Sequence, residues 1–387
     1  MRIRIVGGGP AGLYLAYLLA GQDAGHEIDL WEQNPKGATF GFGVVFSDQA
    51  LGFLKDDDPG THDLIAPEME RWRDLRINHA GRTVTLDGIG FAAIGRHRLL
   101  DLLAARLETT AVRPRWGERI EGAALLDGAD IVVGADGVNS VVRQAADFGT
   151  DNRPLANRFA WFGVEKPFDA LTQTFRRTEK GFFNAHHYRF QPDRSTFIVE
   201  CDPATHAAYG FEGMGEDESA RICAEIFADV LDGRPLLTNK SNWRQFPRLS
   251  NDRWSVGNAV LIGDALRTAH FSIGSGTRLA LEDAIALADA IGEVGRDAPA
   301  ALALFEERRR PIVEKLVAAA NASAAWYEDF PAHMALDPHD LAWSYISRSG
   351  RVDPDRLAKL SPEFVAAYRA AKDGTVDKEG MARGGTS

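Results

Sequence analysis

Cysteine is scarce in this chain of 387 residues, which has only Cys201 and Cys223 and no CxxC pair. This scarcity argues against a disulfide framework, a CxxC redox centre and a zinc site built from thiolates. It favours a reducing compartment, so a cytoplasmic location is predicted. No pattern of clustered ligands predicts a metal site.

Long hydrophobic runs are also missing, because no stretch of 18 apolar residues occurs that would predict a transmembrane helix. The net charge of −11 argues against nucleic acid and anionic membranes as partners. Arg2 and Arg4 precede an apolar run, as in a secretory signal. Glycines at positions 7, 8, 9 and 12 interrupt that run, so a signal peptide is the less favoured interpretation.

The first residues of the chain predict the start of a βαβ unit. Arg2–Val6 and Glu27–Trp31 have the pattern of strands, and Leu13–Ala20 has that of a helix. Residues 96–108 predict an amphipathic helix with leucines on one face. This order of elements indicates an α/β domain that begins at the N-terminus.

The middle of the chain has a different pattern. Residues 157–201 alternate and are rich in Phe, Trp and Thr, which predicts an antiparallel sheet. Apolar strands typical of parallel sheets stand before and after it, at 129–133 and 259–262. Helices are predicted at 216–231 and from 278 to about 327. A nucleotide-binding domain interrupted by a second domain explains this order.

A glycine-rich turn, Gly7-Gly8-Gly9-Pro10-Ala11-Gly12, follows the first strand and opens the first helix. In a dinucleotide fingerprint, Gly7 permits the tight turn, Gly9 lets the backbone approach a pyrophosphate, and Gly12 allows close packing of helix on strand. Glu32, twenty residues later, is placed to accept hydrogen bonds from ribose hydroxyls. The alternative is a glycine-rich turn in an unrelated α/β protein, and the motif alone does not separate FAD from NAD.

Two later motifs favour a flavin. Ala135-Asp136-Gly137-Val138-Asn139-Ser140-Val141-Val142-Arg143 follows the strand that ends at Val133, and Asp264 follows the strand near residue 260. Ligands of α/β folds bind where such strands end. The segment 274–277 then opens a helix whose dipole, aimed at a flavin ring, would favour the anionic reduced form.

Together, these motifs resemble the flavoprotein aromatic hydroxylases of the para-hydroxybenzoate hydroxylase fold. The resemblance implies that the segment 7–12 and Glu32 bind the ADP half of FAD, and that Asp264 binds its ribityl or pyrophosphate region. It implies that Arg143 belongs to a segment linked with both FAD and NAD(P)H. The cofactor-binding residues implied in full are Gly7, Gly9, Pro10, Ala11, Gly12, Glu32, Arg96, Asp136, Asp264, Gly274, Gly276 and Thr277.

The resemblance implies an α/β (α+β) fold, in which a Rossmann-like FAD-binding domain is interrupted by a substrate domain with a mostly antiparallel sheet, followed by a helical C-terminus. The expected boundaries are 1–70, 90–155 and 250–325 for the FAD-binding domain, 71–89 and 156–249 for the substrate domain, 326–371 for the C-terminal helical region, and 372–387 for a disordered tail.

A closer resemblance rests on the segments 39–48, 183–190, 195–201 and 268–277. They are similar to the flavin half of salicylyl-CoA 5-hydroxylases and 2-aminobenzoyl-CoA monooxygenases, and to the violacein-pathway indole hydroxylase. The implied activity is hydroxylation of an electron-rich aromatic ring, such as that of salicylyl-CoA, with FAD, NADH or NADPH, and O2, through a flavin hydroperoxide. An indole or tryptophan-like ring is the alternative substrate, and an FAD-linked reductase is the alternative enzyme. A halogenase is disfavoured because no WxWxIP segment occurs.

His186, Tyr188 and His270 are the candidate catalytic residues. His186 and Tyr188 share one face of a predicted strand, and His270 precedes the glycine loop at 274. A histidine could hydrogen-bond or deprotonate a phenol or an aniline. The alternative is that all three are structural.

The basic residues of the chain have two interpretations. Those in 71–82 could contact the phosphates of a CoA tail, although a solvated charged face is the favoured interpretation. Arg308, Arg309 and Arg310 are expected on a helix surface. The sequence leaves open whether the chain is a monomer or a homodimer.

Overall fold

The chain forms two compact units. The computed structural model describes residues 1–22, 25–47 and 52–383. Unit 1 comprises Met1–Met69, Ala93–Leu155 and Gln245–Asn321, and unit 2 comprises Glu70–Ala92, Ala156–Arg244 and Ala322–Ser387. Residues 326–371, expected as a separate helical region, lie within unit 2. The assignment of FAD and substrate to separate domains stays a prediction.

The strands are distributed over the whole chain. They are β1 (Arg2–Val6), β2 (Glu27–Glu32), β3 (Gly43–Ser47), β4 (Glu70–Trp72), β5 (Leu75–His79), β6 (Arg82–Leu86), β7 (Phe91–Gly95), β8 (Arg115–Trp116), β9 (Ile131–Gly134), β10 (Thr150–Val164), β11 (Leu171–Thr178), β12 (Gly181–Gln191), β13 (Arg194–Cys201), β14 (Leu236–Leu237), β15 (Arg244–Asn251), β16 (Ser255–Val256) and β17 (Ala259–Leu261).

The helices become dense after residue 276. They are α1 (Pro10–Ala20), α2 (Gly52–Asp57), α3 (Pro59–Ile65), α4 (Arg96–Glu108), α5 (Val141–Gln144), α6 (Pro203–Tyr209), α7 (Glu216–Ile226), α8 (Ala228–Leu231), α9 (Gly276–Val294), α10 (Ala298–Glu328), α11 (Phe330–His333), α12 (Pro338–Ser347), α13 (Pro354–Leu360) and α14 (Pro362–Arg383).

Unit 1 contains a six-stranded sheet in the order β16-β17-β9-β1-β2-β8. All its pairs are parallel except β16 with β17. Strand β9 is Ile-Val-Val-Gly and is buried throughout, as expected for a strand covered on both faces. The carboxyl ends of β1, β9 and β17 therefore lie side by side, and this edge is where ligands of α/β sheets bind.

Unit 2 contains a second sheet in the order β14-β10-β13-β12-β11-β5-β6, which is antiparallel except for the pair of β11 with β5. Alternate residues of its central strands, such as Phe183 and Ala185, join an apolar core with Phe211 and Phe227. The opposite face carries Asn184, His186 and Tyr188 because successive side chains alternate. The predicted fold class, with its mostly antiparallel second sheet, is confirmed.

One predicted helix differs from the structure. The expected helix over 216–231 is split at Phe227, whose backbone has φ −112° and ψ 25° and whose ring is completely buried. The break lets this ring turn into the core. Helix α14 runs from Pro362 to Arg383, and within it Lys372 donates to Asp340 at 2.5 Å. The disordered tail expected over 372–387 stays a prediction. Residues 384–387 lie outside the described residues.

Among the described residues, no helix has both the length and the hydropathy needed to cross a membrane. The same residues contain no group of three or more His, Cys, Asp or Glu side chains that could hold a metal ion.

Candidate functional site

A cavity of about 480 Å³ lies at the carboxyl edge of the unit 1 sheet. Ten of the twelve predicted cofactor-binding residues line it, and Gly12 and Gly274 do not. The ten are Gly7, Gly9, Pro10, Ala11, Glu32, Arg96, Asp136, Asp264, Gly276 and Thr277. Residues up to 270 positions apart in sequence are thus brought to one site.

The glycines of the first turn allow close backbone approach. Gly7 has φ +109°, and a Cβ there would lie 2.4 Å from the Ala135 carbonyl oxygen. A Cβ on Gly12 would lie 1.9 Å from the Gly7 carbonyl oxygen, so α1 packs directly on the turn. A Cβ on Gly9 would meet only the Ala135 oxygen, 4.0 Å away. Gly9 therefore leaves open space at the cavity, whereas Gly12 contributes by allowing α1 to pack closely on the turn.

The N-terminus of α1 lies at this open space. Its N-cap is Gly9, which provides no side-chain cap, and Pro10 follows at the first helical position. The first N–H groups of a helix have no partner within the helix and carry a partial positive charge, which suits a phosphate group. The arrangement fits the pyrophosphate of a dinucleotide.

Glu32 is held rigidly at the side of the cavity. Its Oε2 accepts the Gly8 N–H at 2.7 Å, and its Oε1 accepts the N–H and the side-chain amide of Asn34 at 2.8 and 2.6 Å. Carboxylate oxygens have further lone pairs, so ribose hydroxyls can still donate to Glu32.

Asp264 and Arg96 place opposite charges on the cavity wall. Asp264 is open to the cavity, but the surrounding protein raises the pKa of its carboxyl, an effect that Arg267 and Arg96 oppose. Arg96 donates from Nε to the Thr39 hydroxyl at 3.1 Å. Burial likewise raises the pKa of Asp136, which accepts the Val141 N–H at 2.6 Å.

Arg143 links two of the loops that form the cavity. It is 9 % exposed, and it donates to the carbonyl of Ala265 at 3.0 Å and to that of Val138 at 2.5 Å. It thereby connects the loop after β9 to the turn after β17. Within unit 1, Arg143 therefore holds these two loops together by its hydrogen bonds.

A buried ion network supports Asp264, and sequence reasoning missed it. The Asp283 carboxylate accepts the Gly263 N–H at 3.0 Å, while Arg267 donates to Asp283 at 3.0 Å and to the Gly263 carbonyl at 2.8 Å. Both backbone groups of Gly263 are therefore held directly before Asp264.

Arg309 completes this network, donating to Asp283 at 2.9 Å and to Glu282 at 2.6 Å. The prediction that it lies on a helix surface is wrong for Arg309, whereas Arg308 and Arg310 do pair at the surface. The signal was its spacing of four residues from Phe305 and Val313, which places it on the buried stripe of α10.

His186 and Tyr188 lie together on one face of the unit 2 sheet, with ring centroids 5.4 Å apart, and Tyr188 stacks on Trp72 at 6.1 Å. Burial, with a smaller contribution from Arg348, lowers the pKa of His186 to about 3, and burial raises the pKa of Tyr188. His187 points to the opposite face, against Phe168 at 4.1 Å.

His270 belongs to unit 1 and not to the pair on the second sheet. Its Nδ1 lies 2.8 Å from the Ser272 hydroxyl, and its ring packs 4.9 Å from Phe246. The three candidate catalytic residues are therefore split between the units.

Glu200 is a buried acid on the same sheet face as His186, and sequence reasoning did not select it. It accepts the Asn157 side-chain amide at 2.9 Å, and burial raises its pKa to about 8. A single acid inside the apolar strand β13 was the signal.

Comparison with known proteins agrees with the dinucleotide-binding interpretation of the cavity. A family model described as an FAD binding domain matches residues 93–320, and one described as an NAD(P)-binding Rossmann-like domain matches residues 5–40. The chain is 38% identical to salicyloyl-CoA 5-hydroxylase of Streptomyces sp. over 94% of this chain and 72% of that protein. The chain belongs to the FAD-dependent aromatic monooxygenases.

A second member of this monooxygenase family is 39% identical, over 92% of this chain and 97% of its own length: 3-hydroxy-4-methyl-anthranilyl-(aryl-carrier protein) 5-monooxygenase of Streptosporangium sibiricum. Among solved structures, the tetrameric 2-methyl-3-hydroxypyridine-5-carboxylic acid oxygenase has a TM-score of 0.70 at 20% identity, covering 92% of this chain and 97% of that one. This last likeness shows the fold.

As an FAD-dependent aromatic monooxygenase, the chain uses FAD as its cofactor and NAD(P)H as its co-substrate. The geometry fits FAD because Gly9 leaves space at the N-terminus of α1 and Glu32 stands at the end of β2. A third side of the cavity is formed by Asp264 and the start of α9.

Proposed function

We propose that this monooxygenase hydroxylates an ortho-hydroxy or ortho-amino benzoyl thioester at ring carbon 5. The observation that carries the proposal is that both relatives named above are, by their names, 5-hydroxylating enzymes of such acyl groups, one on CoA and one on a carrier protein. Carbon 5 is para to the ortho substituent at carbon 2. A hydroxyl or amino group donates electrons to that carbon, which makes it the nucleophilic position.

Bound FAD supplies the reducing equivalents taken from NAD(P)H and activates oxygen for transfer to the ring. The protein has to bind and orient the ring and keep water away. The pyrophosphate of FAD binds at Gly9 and the first turn of α1, and its ribose binds at Glu32. Asp264 binds the part of FAD between the pyrophosphate and the flavin ring. These roles rest on the lining of the unit 1 cavity.

For the substrate, we infer that His186 and Tyr188 contact the aromatic ring and its ortho substituent. His186 is neutral at pH 7 because its pKa is about 3. One nitrogen of its imidazole ring can therefore accept a hydrogen bond from the hydroxyl or amino group of the substrate. Tyr188 keeps its phenolic proton and can donate it in a hydrogen bond. His270, beside the glycine loop of unit 1, stays a separate prediction as a catalytic residue.

The test is NAD(P)H oxidation by the purified, FAD-loaded protein. Salicyloyl-CoA, 2-aminobenzoyl-CoA, the two free acids and tryptophan are offered separately, and product mass and hydrogen peroxide are measured. We expect that only the thioesters accelerate NAD(P)H oxidation and gain one oxygen atom. Salicyloyl-CoA deuterated at carbon 5 should lose that deuterium. Hydroxylation of a free acid or of tryptophan, or deuterium retention, would overturn the proposal.

The cellular state of the enzyme belongs to the same proposal. We expect a cytoplasmic protein, on the basis of its two free, buried cysteines. A monomer or a homodimer is expected, and light scattering of the FAD-loaded protein distinguishes the two.

A further inference from the structure

Strand β4 holds two consecutive residues of β12 through its side chains. The Trp72 ring stacks on the Tyr188 ring, with 6.1 Å between the centroids and 29° between the planes. Two residues earlier in β4, Glu70 accepts a hydrogen bond from Nε of Arg189 at 2.6 Å. All four residues belong to unit 2. A short strand therefore contacts one of the two proposed ring contacts and the residue that follows it.

Tyr188 lies where β12 leaves one of its two neighbouring strands. The ladder between β11 and β12 ends at His187, so Tyr188 is the first residue beyond it. On the other side β13 continues, but the register of that pair shifts between Arg189 and Gln191. A register shift of this kind bends a strand and disrupts its ladder locally. Backbone pairing therefore fixes Tyr188 from the side of β13, close to an irregular strand end.

Two side-chain contacts set the orientation of Tyr188. Thr196, which stands opposite in β13, hydrogen-bonds the phenolic oxygen with its hydroxyl. Trp72 covers the ring, and both rings are buried, with 2% of Tyr188 and 7% of Trp72 exposed. The hydrogen bond fixes the oxygen, about which a tyrosine ring can still turn. Close packing against a second ring removes this freedom, because the turning ring would clash.

His186, the other proposed ring contact, is held differently. It lies within the ladder, opposite Gln173 of β11 and Ile198 of β13. Its ring lies 5.4 Å from that of Tyr188 on the same face of the sheet. Trp72, Tyr188 and His186 thus form a row of three rings. The backbone ladder holds the last ring of this row, whereas the middle ring depends on the first.

Glu70 fixes the side of β4 that carries Trp72. Side chains two residues apart in a strand point to the same side, so Glu70 and Trp72 both face β12. The carboxylate of Glu70 and the guanidinium of Arg189 are partly buried, with 22% and 25% of their side chains exposed. Salt screens a partly buried ion pair less than an exposed one. The pair therefore holds β4 against β12 and keeps Trp72 on the Tyr188 ring.

We propose that Trp72 is a positioning residue that orients Tyr188 toward the aromatic substrate, and that Glu70 supports it through Arg189. This inference rests on the proposed contact between Tyr188 and the substrate ring. A displaced Tyr188 leaves the substrate at a less suitable distance and angle, so less oxygen is transferred to it. The coupled reaction converts a ring C–H, NAD(P)H, a proton and O2 into C–OH, NAD(P)⁺ and water. Without transfer, NAD(P)H, a proton and O2 give NAD(P)⁺ and hydrogen peroxide.

The first test observes the Tyr188 ring and needs no substrate. Crystal structures of the FAD-loaded wild type, Trp72→Phe and Trp72→Leu are compared. We expect one Tyr188 conformer in the wild type and in Trp72→Phe, which keeps an aromatic ring on Tyr188. In Trp72→Leu the Tyr188 ring should be displaced or occupy several rotamers. A single, undisplaced Tyr188 conformer in Trp72→Leu overturns the proposal.

The second test measures product formed per NAD(P)H oxidised, with salicyloyl-CoA and with 2-aminobenzoyl-CoA. Trp72→Leu should lower this ratio and raise the KM for the thioester, each by about two- to tenfold, as for the loss of one aromatic pair. Hydrogen peroxide should rise to match, and Trp72→Phe should restore most of the ratio. Trp343→Leu removes an indole that stacks on Tyr368 at 4.5 Å elsewhere in unit 2. This control should lower the melting temperature without changing the ratio.

The ion pair is tested in the same assay. Glu70→Gln should lower the ratio of product to NAD(P)H in the same direction as Trp72→Leu but by a smaller factor. Glu68→Gln, which breaks a more exposed pair with Arg98, should match the wild type. A displaced Tyr188 in Trp72→Leu with wild-type KM and ratio refutes the positioning role. If the wild type hydroxylates neither thioester, the proposed function fails, and the crystal structures still decide whether Trp72 orients Tyr188.

Discussion

Arg309 and Asp283 form an ion pair inside unit 1, with 2.9 Å between Nε and Oδ1. Asp283 has no exposed surface, and Arg309 is 5% exposed. Asp283 also accepts the N–H of Gly263, so the pair is joined to the turn that presents Asp264 to the FAD cavity. Stability and cofactor binding should therefore depend on the same carboxylate.

Replacing Asp283 by Asn should destabilise the protein by about 3–5 kcal/mol, because it leaves buried guanidinium groups without their full counter-charge. FAD should also be released more readily, since the amide keeps a single acceptor oxygen, for which the Gly263 N–H and two guanidinium groups then compete. Urea unfolding and retention of flavin absorbance measure the two effects. Arg308→Ala is the matched control, as its pair with Glu293 is exposed. Wild-type stability in Asp283→Asn would contradict this role.

Gly12→Ala should impair FAD binding although Gly12 does not line the cavity. The new Cβ would lie 1.9 Å from the Gly7 carbonyl oxygen, so α1 must move away from the turn. Overpacking of this kind costs about 1–3 kcal/mol of stability. The flavin-to-protein absorbance ratio after gel filtration measures the loss. Gly213→Ala, where a Cβ meets nothing within 4 Å, should retain FAD fully.

Glu200 should make the protein less stable as the pH rises. Its pKa in the fold is about 8, above the value near 4.3 expected in the unfolded chain, so between these values the folded state holds a proton that the unfolded state has lost. The free energy of unfolding should then fall with increasing pH, by at most about 1.4 kcal/mol per unit.

Urea unfolding at pH 5.5, 6.5 and 7.5 measures this slope. Glu200→Gln keeps an acceptor for Asn157 but cannot ionise, so its slope should be smaller and its stability should exceed that of the wild type at pH 7.5. Glu212→Gln, at a side chain that is 90% exposed, should behave like the wild type. Equal slopes for all three proteins would show that Glu200 does not titrate as inferred.

His186 should not act as a titrating base. Because its pKa is about 3, it stays neutral between pH 6 and 9 and contributes a hydrogen bond only. His186→Phe should lower kcat/KM by roughly five- to tenfold, as for a lost neutral hydrogen bond, equally at every pH. Disappearance of a limb from the pH profile, or a loss of about 10²-fold or more, would indicate general base catalysis instead.

The sequence was sufficient for the nucleotide-binding edge because each motif there reports local geometry. A strand, a turn with φ +109° at Gly7, and a helix opened by Pro10 all lie within 20 residues. The order of β1, α1, β2, α4 and β9 follows from hydrophobic periodicity alone.

Features that depend on distant partners were beyond the sequence. Arg309 stands in a run of three arginines, and its counter-charge at Asp283 is 26 residues away, so a surface position was the natural interpretation. The break at Phe227 exists because the ring fits a core made by β12 and β13, which helix propensity does not reveal. The parallel pairing of β5 with β11 likewise joins segments almost 100 residues apart.

The order of strands in unit 1 has a consequence for synthesis on the ribosome. Its central neighbours β17, β9 and β1 come from residues 259–261, 131–134 and 2–6. A nascent chain of 250 residues has neither Asp264 nor the start of α9, so one wall of the FAD cavity is missing until that stretch emerges. Contacts over such long separations form late. FAD can therefore bind only late in synthesis, and the edge of β9 stays unpaired until β17 has been synthesised.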